Sequence, residues 1–199
     1  RQMCKETGGS TVTANGGRGE DGSGGSGISN GGSLTVSDGT VTAKGGNGDS
    51  KDGYGGDGIR SGGGVTISGN TVNAAGGYGG KVGGYGICSF ARVAISGGTV
   101  NAAGGNGKNS NGGSDGIISN DIDLSGSLEL TAKAGSPTGK ALLQNGRELD
   151  LDTIKDKLGP GAKVTATDAN GETKQVSSPI PRPVAVSYTH LRAHETAAN

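Results

Sequence analysis

The sequence predicts an all-β fold, a single-stranded parallel β-helix (solenoid) of about five coils with a small α+β cap at its C-terminal end. Three observations predict it: a repeat of about 30 residues, an alternation of apolar and polar residues within each repeat, and an abundance of glycine. Self-similarity at such a period is typical of solenoids, in which each repeat forms one coil.

The repeat is marked by an isoleucine that follows a glycine, at Ile28, Ile59, Ile87 and Ile117, with intervals of 31, 28 and 30 residues. Behind each isoleucine, two further segments alternate aliphatic and polar residues, which is the period of a β-strand. The second segments are 34–36, 65–67, 93–95 and 122–124, and the third segments are 41–43, 72–74, 100–102 and 130–132, with 12–14 from an earlier unit. Glycine and β-branched residues dominate, which disfavours helices. The alternate aliphatic side chains are therefore expected to stack inside the solenoid.

Glycine accounts for 45 of the 199 residues and aromatic residues for 3%, so a conventional globular core is hard to build. The glycines do not fall at every third position, which excludes collagen. Burial of the inward aliphatic side chains of one coil contributes about 6–12 kcal/mol. Ordering about twenty residues costs about 20–40 kcal/mol. No coil is therefore stable alone, and hydrogen bonding between stacked coils must supply the rest.

Glycine-rich stretches separate the third segment of each unit from the next isoleucine. They span 45–58, 76–86 and 104–116, and their lengths differ while those of the strands do not. This behaviour is typical of loops that leave a solenoid at one corner. Loops that vary from repeat to repeat on one side often form a binding face.

The repeats are predicted to occupy 1–134, followed at 135–177 by a C-terminal cap, with a small independent domain as the alternative. Segment 149–158 has early acidic residues, late lysines and a Gly-Pro end, which predicts a short helix. The next segment predicts a β-hairpin that turns at Asn170 and Gly171. Because the open end of a solenoid needs covering, we expect this segment to be the cap.

The last residues differ in kind from the rest. Residues 178–185 are proline-rich and predict an extended linker to a further part of a larger protein. When back-translated, residues 186–196 resemble an adapter used in sequencing libraries, so 186–199 is interpreted as an adapter-derived artefact and excluded from fold prediction. Both histidines, His190 and His194, lie in it, which leaves the rest without the commonest general base and metal ligand.

Charge and hydropathy exclude two classes of partner. The 18 basic and 18 acidic residues give a formal net charge of zero, so the basic footprint of a nucleic-acid-binding protein is absent. No apolar run approaches the ~20 residues that cross a bilayer, so no membrane insertion is expected. Cys4 and Cys88 are too few for a disulfide framework, and whether they pair is left open.

The units GISNGGSLTVSDGTVTAKGG (27–46) and GIRSGGGVTISGNTVNAAGG (58–77) resemble the glycine-rich right-handed parallel β-helix repeats of bacterial secreted and cell-surface proteins of the carbohydrate-binding-domain type. The resemblance covers 10–134. It implies an extracellular or cell-surface location and a role in adhesion or carbohydrate binding. Some members of this group carry a Gly-Asp-Asp-Gly-Ile motif that is associated with calcium and acidic polysaccharide. Here Asp57 and Asp115 keep the aspartate, and the other two units have serine or tyrosine instead.

Two sets of side chains are candidates for a binding site. Tyr54, Tyr78 and Tyr85 lie in neighbouring glycine-rich stretches, where aromatic rings can stack on sugar faces. The alternative is that these rings pack over the solenoid wall. Asp57 and Asp115 can supply hard oxygen ligands for Ca²⁺, although solvated loop charges have the same pattern. No other cofactor is expected.

These observations predict a non-catalytic extracellular module for adhesion or carbohydrate binding, whose partner is a polysaccharide or a cell-surface glycan. The alternative is a purely structural spacer in a larger surface protein. A polysaccharide-degrading enzyme is less favoured, because the outward strand positions carry Thr and Asn rather than the paired carboxylates of glycoside hydrolysis. An ice-binding face of Thr-x-Thr rows is also less favoured, because Asn73 and Asn101 interrupt the rows.

Overall fold

The structure is a computed structural model of the chain, and it describes residues 9–20, 22–110 and 112–179. These residues form thirteen β-strands and one short helix. The repeat region contains β1 (Thr11–Asn15), β2 (Ile28–Asn30), β3 (Leu34–Val36), β4 (Thr40–Lys44), β5 (Ile59–Ser61), β6 (Val65–Ile67), β7 (Thr71–Ala75), β8 (Ile87–Ala103) and β9 (Ile117–Lys133). The C-terminal part contains β10 (Leu142–Gln144), β11 (Arg147–Glu148), a 3-10 helix (Leu151–Lys157), β12 (Lys163–Thr167) and β13 (Thr173–Ser177).

Equivalent strands of successive repeats pair in parallel, so the chain winds as a solenoid of about five turns. The first face contains β2, β5, the starts of β8 and β9, and β10. The second face contains β3, β6 and the middles of β8 and β9. The third face contains β1, β4, β7, the ends of β8 and β9, and β12. The predicted all-β parallel solenoid is confirmed, and its coils are numbered 1 to 5 by the first-face strands β2, β5, β8, β9 and β10.

The core consists of columns of aliphatic side chains that run through the coils. Val72, for example, pairs in register with Val41 and Val100 and is 0% exposed. The buried members of the predicted columns are Val36, Val41, Ala43, Val65, Ile67, Val72, Ala74, Val93, Ile95, Val100, Ala102, Ile122, Leu124, Leu130 and Ala132. Val12 in β1 is 45% exposed, because within the described residues β1 pairs on one side only, with β4. Inward stacking is thus confirmed for the inner coils and is incomplete at the first rung.

A polar residue closes each turn of the first face. In coils 2, 3 and 4 it is Ser61, Ser89 and Ser119, and all three are buried. The hydroxyl of each donates to a backbone carbonyl of the preceding coil, at 2.7, 2.8 and 3.0 Å. These buried hydroxyls satisfy carbonyl groups at the corner, where the chain bends away from regular strand pairing.

The C-terminal segment ends each face in a different way. β10 extends the first face beyond β9 and turns back as β11, while β12 extends the third face beyond β9 and turns back as β13. At the end of the second face, Leu158 bridges Gly126, and the 3-10 helix buries Leu151 and Ile154. Two antiparallel returns and a helix therefore cover the end of the stack, which is the predicted cap.

The local predictions within the cap can be compared with the structure. The short helix predicted over 149–158 is a 3-10 helix, and its preceding residue Asp150 accepts the backbone N–H of Asp152 at 3.0 Å. The hairpin predicted at Asn170 and Gly171 is confirmed, since β12 and β13 are antiparallel. Gly171 adopts a φ of +87°, which glycine reaches without steric cost.

Several predictions concern residues beyond the described ranges. Cys4, the segment 186–199 and all but the first two residues of the linker at 178–185 lie outside them. Cys88 is buried and belongs to no disulfide within the described part of the chain. Of the helices that the structure describes, none has the length and apolar character needed to cross a membrane.

Candidate functional site

The glycine-rich stretches over 45–58, 76–86 and 104–116 contain no regular strand among their described residues, and their bases are joined by backbone hydrogen bonds. Outgoing and returning segments alternate along the solenoid, and we call this arrangement the glycine ladder. Its outgoing segments are 16–17, 45–46, 76–77 and 104–105, and its returning segments are 24–25, 55–56, 83–84 and 113–114. In one continuous series, each segment donates a backbone N–H to a carbonyl oxygen of the segment before it. The donor and acceptor residues are Gly25 and Gly17, Gly46 and Gly25, Gly56 and Gly46, Gly77 and Gly56, Gly84 and Gly77, Gly105 and Gly84, and Ser114 and Gly105.

Glycine is required in this ladder because the backbones approach too closely for a side chain. A Cβ atom at Gly56 would lie 2.0 Å from the carbonyl oxygen of Gly25, and one at Gly84 would lie 1.8 Å from that of Gly56. Both distances are far inside van der Waals contact, and the obstructing atoms belong to the backbone. The glycine content of the sequence therefore has a steric cause, and the ladder is a packed part of the fold.

A groove of about 340 Å³ lies where the returning side of the glycine ladder meets the first face. Four glycines line it, Gly24, Gly55, Gly56 and Gly83, and the other lining residues are Ser26, Tyr54, Asp57, Arg60, Val82, Tyr85 and Ser114. Tyr54 is 44% exposed, whereas Tyr85 is half-buried. The groove thus combines two tyrosines with an aspartate, an arginine and Ser26.

Asp57 holds the charged part of the groove in place. Asp57 is 6% exposed; its Oδ1 accepts the backbone N–H of Tyr85 at 2.8 Å, and its Oδ2 accepts Nη1–H of Arg60 at 2.9 Å. The Arg60 guanidinium also lies 5.0 Å from the ring centroid of Phe90, within the range of a cation–π contact. One side of the guanidinium is therefore fixed by a buried carboxylate, while the side chain stays 44% exposed to the groove.

The environment of the groove raises the pKa of two nearby groups, Tyr85 and Cys88. Burial, followed by the nearby Asp115 carboxyl, raises the pKa of Tyr85, so its neutral hydroxyl can both donate and accept a hydrogen bond. Burial, followed by the Asp57 carboxyl, raises the pKa of Cys88 to about 11. Because the thiolate is the reactive form, this thiol is a poor nucleophile at neutral pH.

Asp57 and Asp115, the predicted calcium ligands, occupy the same position in coils 2 and 4. Asp115 is 7% exposed, and its Oδ1 accepts the backbone N–H of Lys140 at 2.7 Å. Each aspartate therefore binds the N–H of the equivalent residue one coil further along, which is Tyr85 for Asp57 and Lys140 for Asp115. Within the described residues, no three His, Cys, Asp or Glu side chains come together as metal ligands. Calcium binding stays a prediction, and a structural role accounts for both contacts.

Replacing Asp115 by asparagine is expected to raise the free energy of unfolding at neutral pH. Burial raises the pKa of Asp115 above its ordinary value, because the charged carboxylate is costly to desolvate. Between the raised pKa of the folded state and the ordinary pKa of an aspartate, the folded protein binds a proton that the unfolded chain does not. The wild-type protein should therefore become more stable as the pH falls through this interval. Asp115→Asn lacks this gain, so its advantage should shrink over that interval. Urea unfolding across a pH series measures the difference.

Asp115→Ala is the matched control for this substitution. It removes the oxygen that accepts the Lys140 N–H, and leaving a buried donor unpaired costs about 1–3 kcal/mol at every pH. An Asp115→Asn protein less stable than wild type at neutral pH would show that the negative charge itself is needed there, contrary to the structural role.

The structure separates the three predicted tyrosines. Tyr54 and Tyr85 line the groove, whereas Tyr78, which is 38% exposed, does not. Arg60 and Phe90 were not predicted as site residues. The three-residue spacing from Asp57 to Arg60 was a usable signal for an ion pair, but the contact with Phe90 depends on the stacking of coil 3 on coil 2.

The outward rows of the third face agree with the predicted strand alternation. Thr42 pairs with Asn73 and Asn73 with Asn101, all at equivalent positions. The amide of Asn101 donates to Oδ1 of Asn73 at 2.9 Å. The two asparagines therefore satisfy each other along the stack, which accounts for them as structural residues.

Comparison with known proteins does not place the chain in a family. No family model matches it, and neither a curated protein nor a solved structure shows significant similarity. A functional argument must therefore come from the groove and its contacts.

Proposed function

We propose that the chain is a non-catalytic carbohydrate-binding module of a secreted or cell-surface protein, acting in adhesion to a polysaccharide or a cell-surface glycan. The observation that supports this most is the groove, in which Tyr54, Tyr85 and the Asp57–Arg60 pair meet. Sugar rings offer apolar faces and equatorial hydroxyl groups, so a complementary site combines aromatic rings with planar hydrogen-bonding groups.

Arg60 and Tyr85 provide the polar contacts in this proposal. Arg60 uses Nη1 for Asp57 and forms no other hydrogen bond to the described residues, which leaves its remaining N–H groups for a ligand. Tyr85 contributes a neutral hydroxyl. Ser26 adds a further hydroxyl group to the groove, whereas the hydroxyl of Ser114 is buried and donates to the Gly83 carbonyl. Binding without catalysis is supported by Asp57, whose carboxylate is buried and already engaged by Arg60 and a backbone N–H.

A spacer function is the second candidate, and the glycine ladder favours it. The ladder links every coil of the repeat region by backbone hydrogen bonds and adds a second packed layer beside the three faces. Such a stiff stack would serve as a stalk whether or not the groove binds a ligand.

Substitution of the groove tyrosines tests the proposed function. The full chain is applied to a glycan array, and the binding glycan is then titrated against Tyr54→Ala and Tyr85→Ala. Each change should weaken binding by about tenfold, because an aromatic contact is lost while the fold is kept. Tyr78→Ala is the matched control, since Tyr78 is similarly exposed but lies outside the groove, and its affinity should equal that of wild type.

The outcomes of this experiment separate the candidate functions. Repeating the array with added calcium and then with EDTA tests the calcium prediction for Asp57 and Asp115, since loss of binding in EDTA would support it. Equal weakening by Tyr78→Ala would move the site away from the groove. A folded protein that binds no glycan on the array would refute the carbohydrate-binding proposal and support the spacer.

A further inference from the structure

Asparagine followed by glycine recurs along the chain. Such pairs occur at 15–16, 30–31, 47–48, 106–107, 111–112, 145–146 and 170–171. In an Asn-Gly pair, the backbone nitrogen of the glycine can attack the side-chain carbonyl carbon of the asparagine, because the glycine has no Cβ atom to hinder the approach. Asn111 lies outside the described residues. For the other six pairs, the structure shows whether the reacting groups are held or free.

Hydrogen bonds hold the reacting groups of five of these pairs. The side chain of Asn30 is engaged at both ends, since its Oδ1 accepts the N–H of Gly32 at 3.1 Å and its Nδ2 donates to the Ser33 carbonyl at 2.9 Å. A held group must first leave its partner, so these pairs react only through local opening of the fold. In the other four, the glycine N–H donates to a backbone carbonyl: Gly16 to Lys44, Gly48 to Tyr78, Gly107 to Ser136 and Gly171 to Asp168.

Asn145 and Gly146 form the exposed turn between β10 and β11. Their φ angles are +46° and +73°, in the left-handed region that asparagine and glycine enter most readily. The backbone N–H of Asn145 donates to the Ser119 carbonyl at 2.9 Å, but this group takes no part in the reaction. Within the described part of the chain, neither the Asn145 side-chain amide nor the Gly146 N–H has a hydrogen-bond partner. Ring closure here breaks no hydrogen bond at the reacting groups.

We propose that Asn145 is a site of spontaneous modification in the folded protein, where the asparagine converts to aspartate or isoaspartate. The Gly146 backbone nitrogen attacks Cγ of Asn145, and the new N–C bond closes a cyclic imide. The Cγ–Nδ2 bond breaks, and Nδ2 leaves as ammonia with the proton from the Gly146 nitrogen. Water then hydrolyses the imide. Opening at the side-chain carbonyl gives aspartate, and opening at the backbone carbonyl gives isoaspartate, in which the backbone runs through the former side chain.

Isoaspartate at this turn would disturb the cap. It adds one carbon to the backbone of a two-residue turn, so the pairing of Gln144 with Arg147 that closes the turn is lost. Gln144 also holds the second face, because its Oε1 accepts the backbone N–H of Ile122 at 2.8 Å. The strand that bears it, β10, extends the first face beyond β9. The modified protein should therefore melt at a lower temperature than the original.

Peptide mapping by mass spectrometry tests the proposal on the full chain, incubated at neutral pH and body temperature. In the folded protein, conversion at Asn145 should be at least about tenfold faster than at Asn47 or Asn106, whose pairs must first open. In urea the rates at these three positions should become similar, because the unfolded chain has no protecting contacts. Equal rates in the folded protein, or a difference that persists in urea, would overturn the proposal.

Two substitutions separate this site from general ageing of the protein. Asn145→Gly removes the reacting amide and keeps a residue that adopts positive φ, so the incubated variant should keep its melting temperature. Asn170→Gly is the matched control in the other hairpin turn, and it should lose stability during incubation as the wild-type protein does. An equal fall in melting temperature for Asn145→Gly and the wild-type protein would show that the change arises elsewhere in the chain.

Discussion

Replacement of Gly76 by alanine is expected to lower the free energy of unfolding by about 3 kcal/mol or more, the upper part of the range for overpacking a close-packed interior. The new Cβ would lie 1.8 Å from the carbonyl oxygen of Gly84 and 2.3 Å from its carbonyl carbon. These are backbone atoms, and the Gly84 carbonyl also accepts the N–H of Gly105 at 2.7 Å. Relief of the clash must therefore separate neighbouring segments of the glycine ladder.

Gly31→Ala provides the matched control for this single added methyl group. A Cβ at Gly31 would meet no atom within 4 Å, so its effect should stay within about 0.5 kcal/mol of wild type. Urea unfolding followed by circular dichroism measures both variants. If Gly76→Ala unfolds at the same urea concentration as Gly31→Ala, the segments of the glycine ladder are packed less closely than the structure indicates.

The strands of the repeat were predictable because their side chains carry the information. An aliphatic residue at every second position defines an inner face, and the recurrence of the pattern aligns equivalent residues such as Val41, Val72 and Val100. The merging of the three strands into continuous β8 and β9 was not predictable, because it depends on the backbone path at the corners.

The glycine ladder was not predictable by the same reasoning. A run of glycines has no side chains to alternate, so its sequence does not distinguish a flexible loop from an extended segment in close backbone contact. The partners are also far apart in sequence, as with Gly56 and Gly77. A usable signal was present all the same: a Gly-Gly pair recurs after the third strand of each unit, at 45–46, 76–77 and 104–105.

The candidate site was predictable in part. Aromatic residues are rare enough in this chain that Tyr54 and Tyr85 stood out, and the structure brings both into one groove. The roles of Asp57 and Asp115 were harder to predict, because a loop aspartate has the same local sequence whether it binds a metal or a backbone N–H. Only the stacking of coils puts the N–H of Tyr85 and of Lys140 within reach of these carboxylates.

Replacement of Val72 by aspartate is expected to unfold the repeat region cooperatively. Val72 is 0% exposed and stacks between Val41 and Val100, so a carboxylate there has only apolar neighbours in its column. Burying an unpaired charge costs several kcal/mol, and whole domains are stable by only about 5–15 kcal/mol. Because each coil depends on its neighbours, loss of coil 2 packing should spread along the stack.

Asn73→Asp, at the next residue of the same strand, is the control that isolates burial from charge. Asn73 faces outward and is half-buried. A carboxylate oxygen of the introduced aspartate can still accept the hydrogen bond that Asn101 donates to Asn73 in the wild-type protein. Its stability should stay within about 0.5 kcal/mol of wild type.

Lowering the pH should partly restore the fold of Val72→Asp, because burial raises the pKa of such a carboxyl and the neutral form is less costly to bury. An unchanged circular dichroism spectrum and melting curve for Val72→Asp would mean that residue 72 points to solvent. The strand would then be shifted by one residue, and Thr71 and Asn73 would occupy the core, where their polar groups have no strand partners of their own.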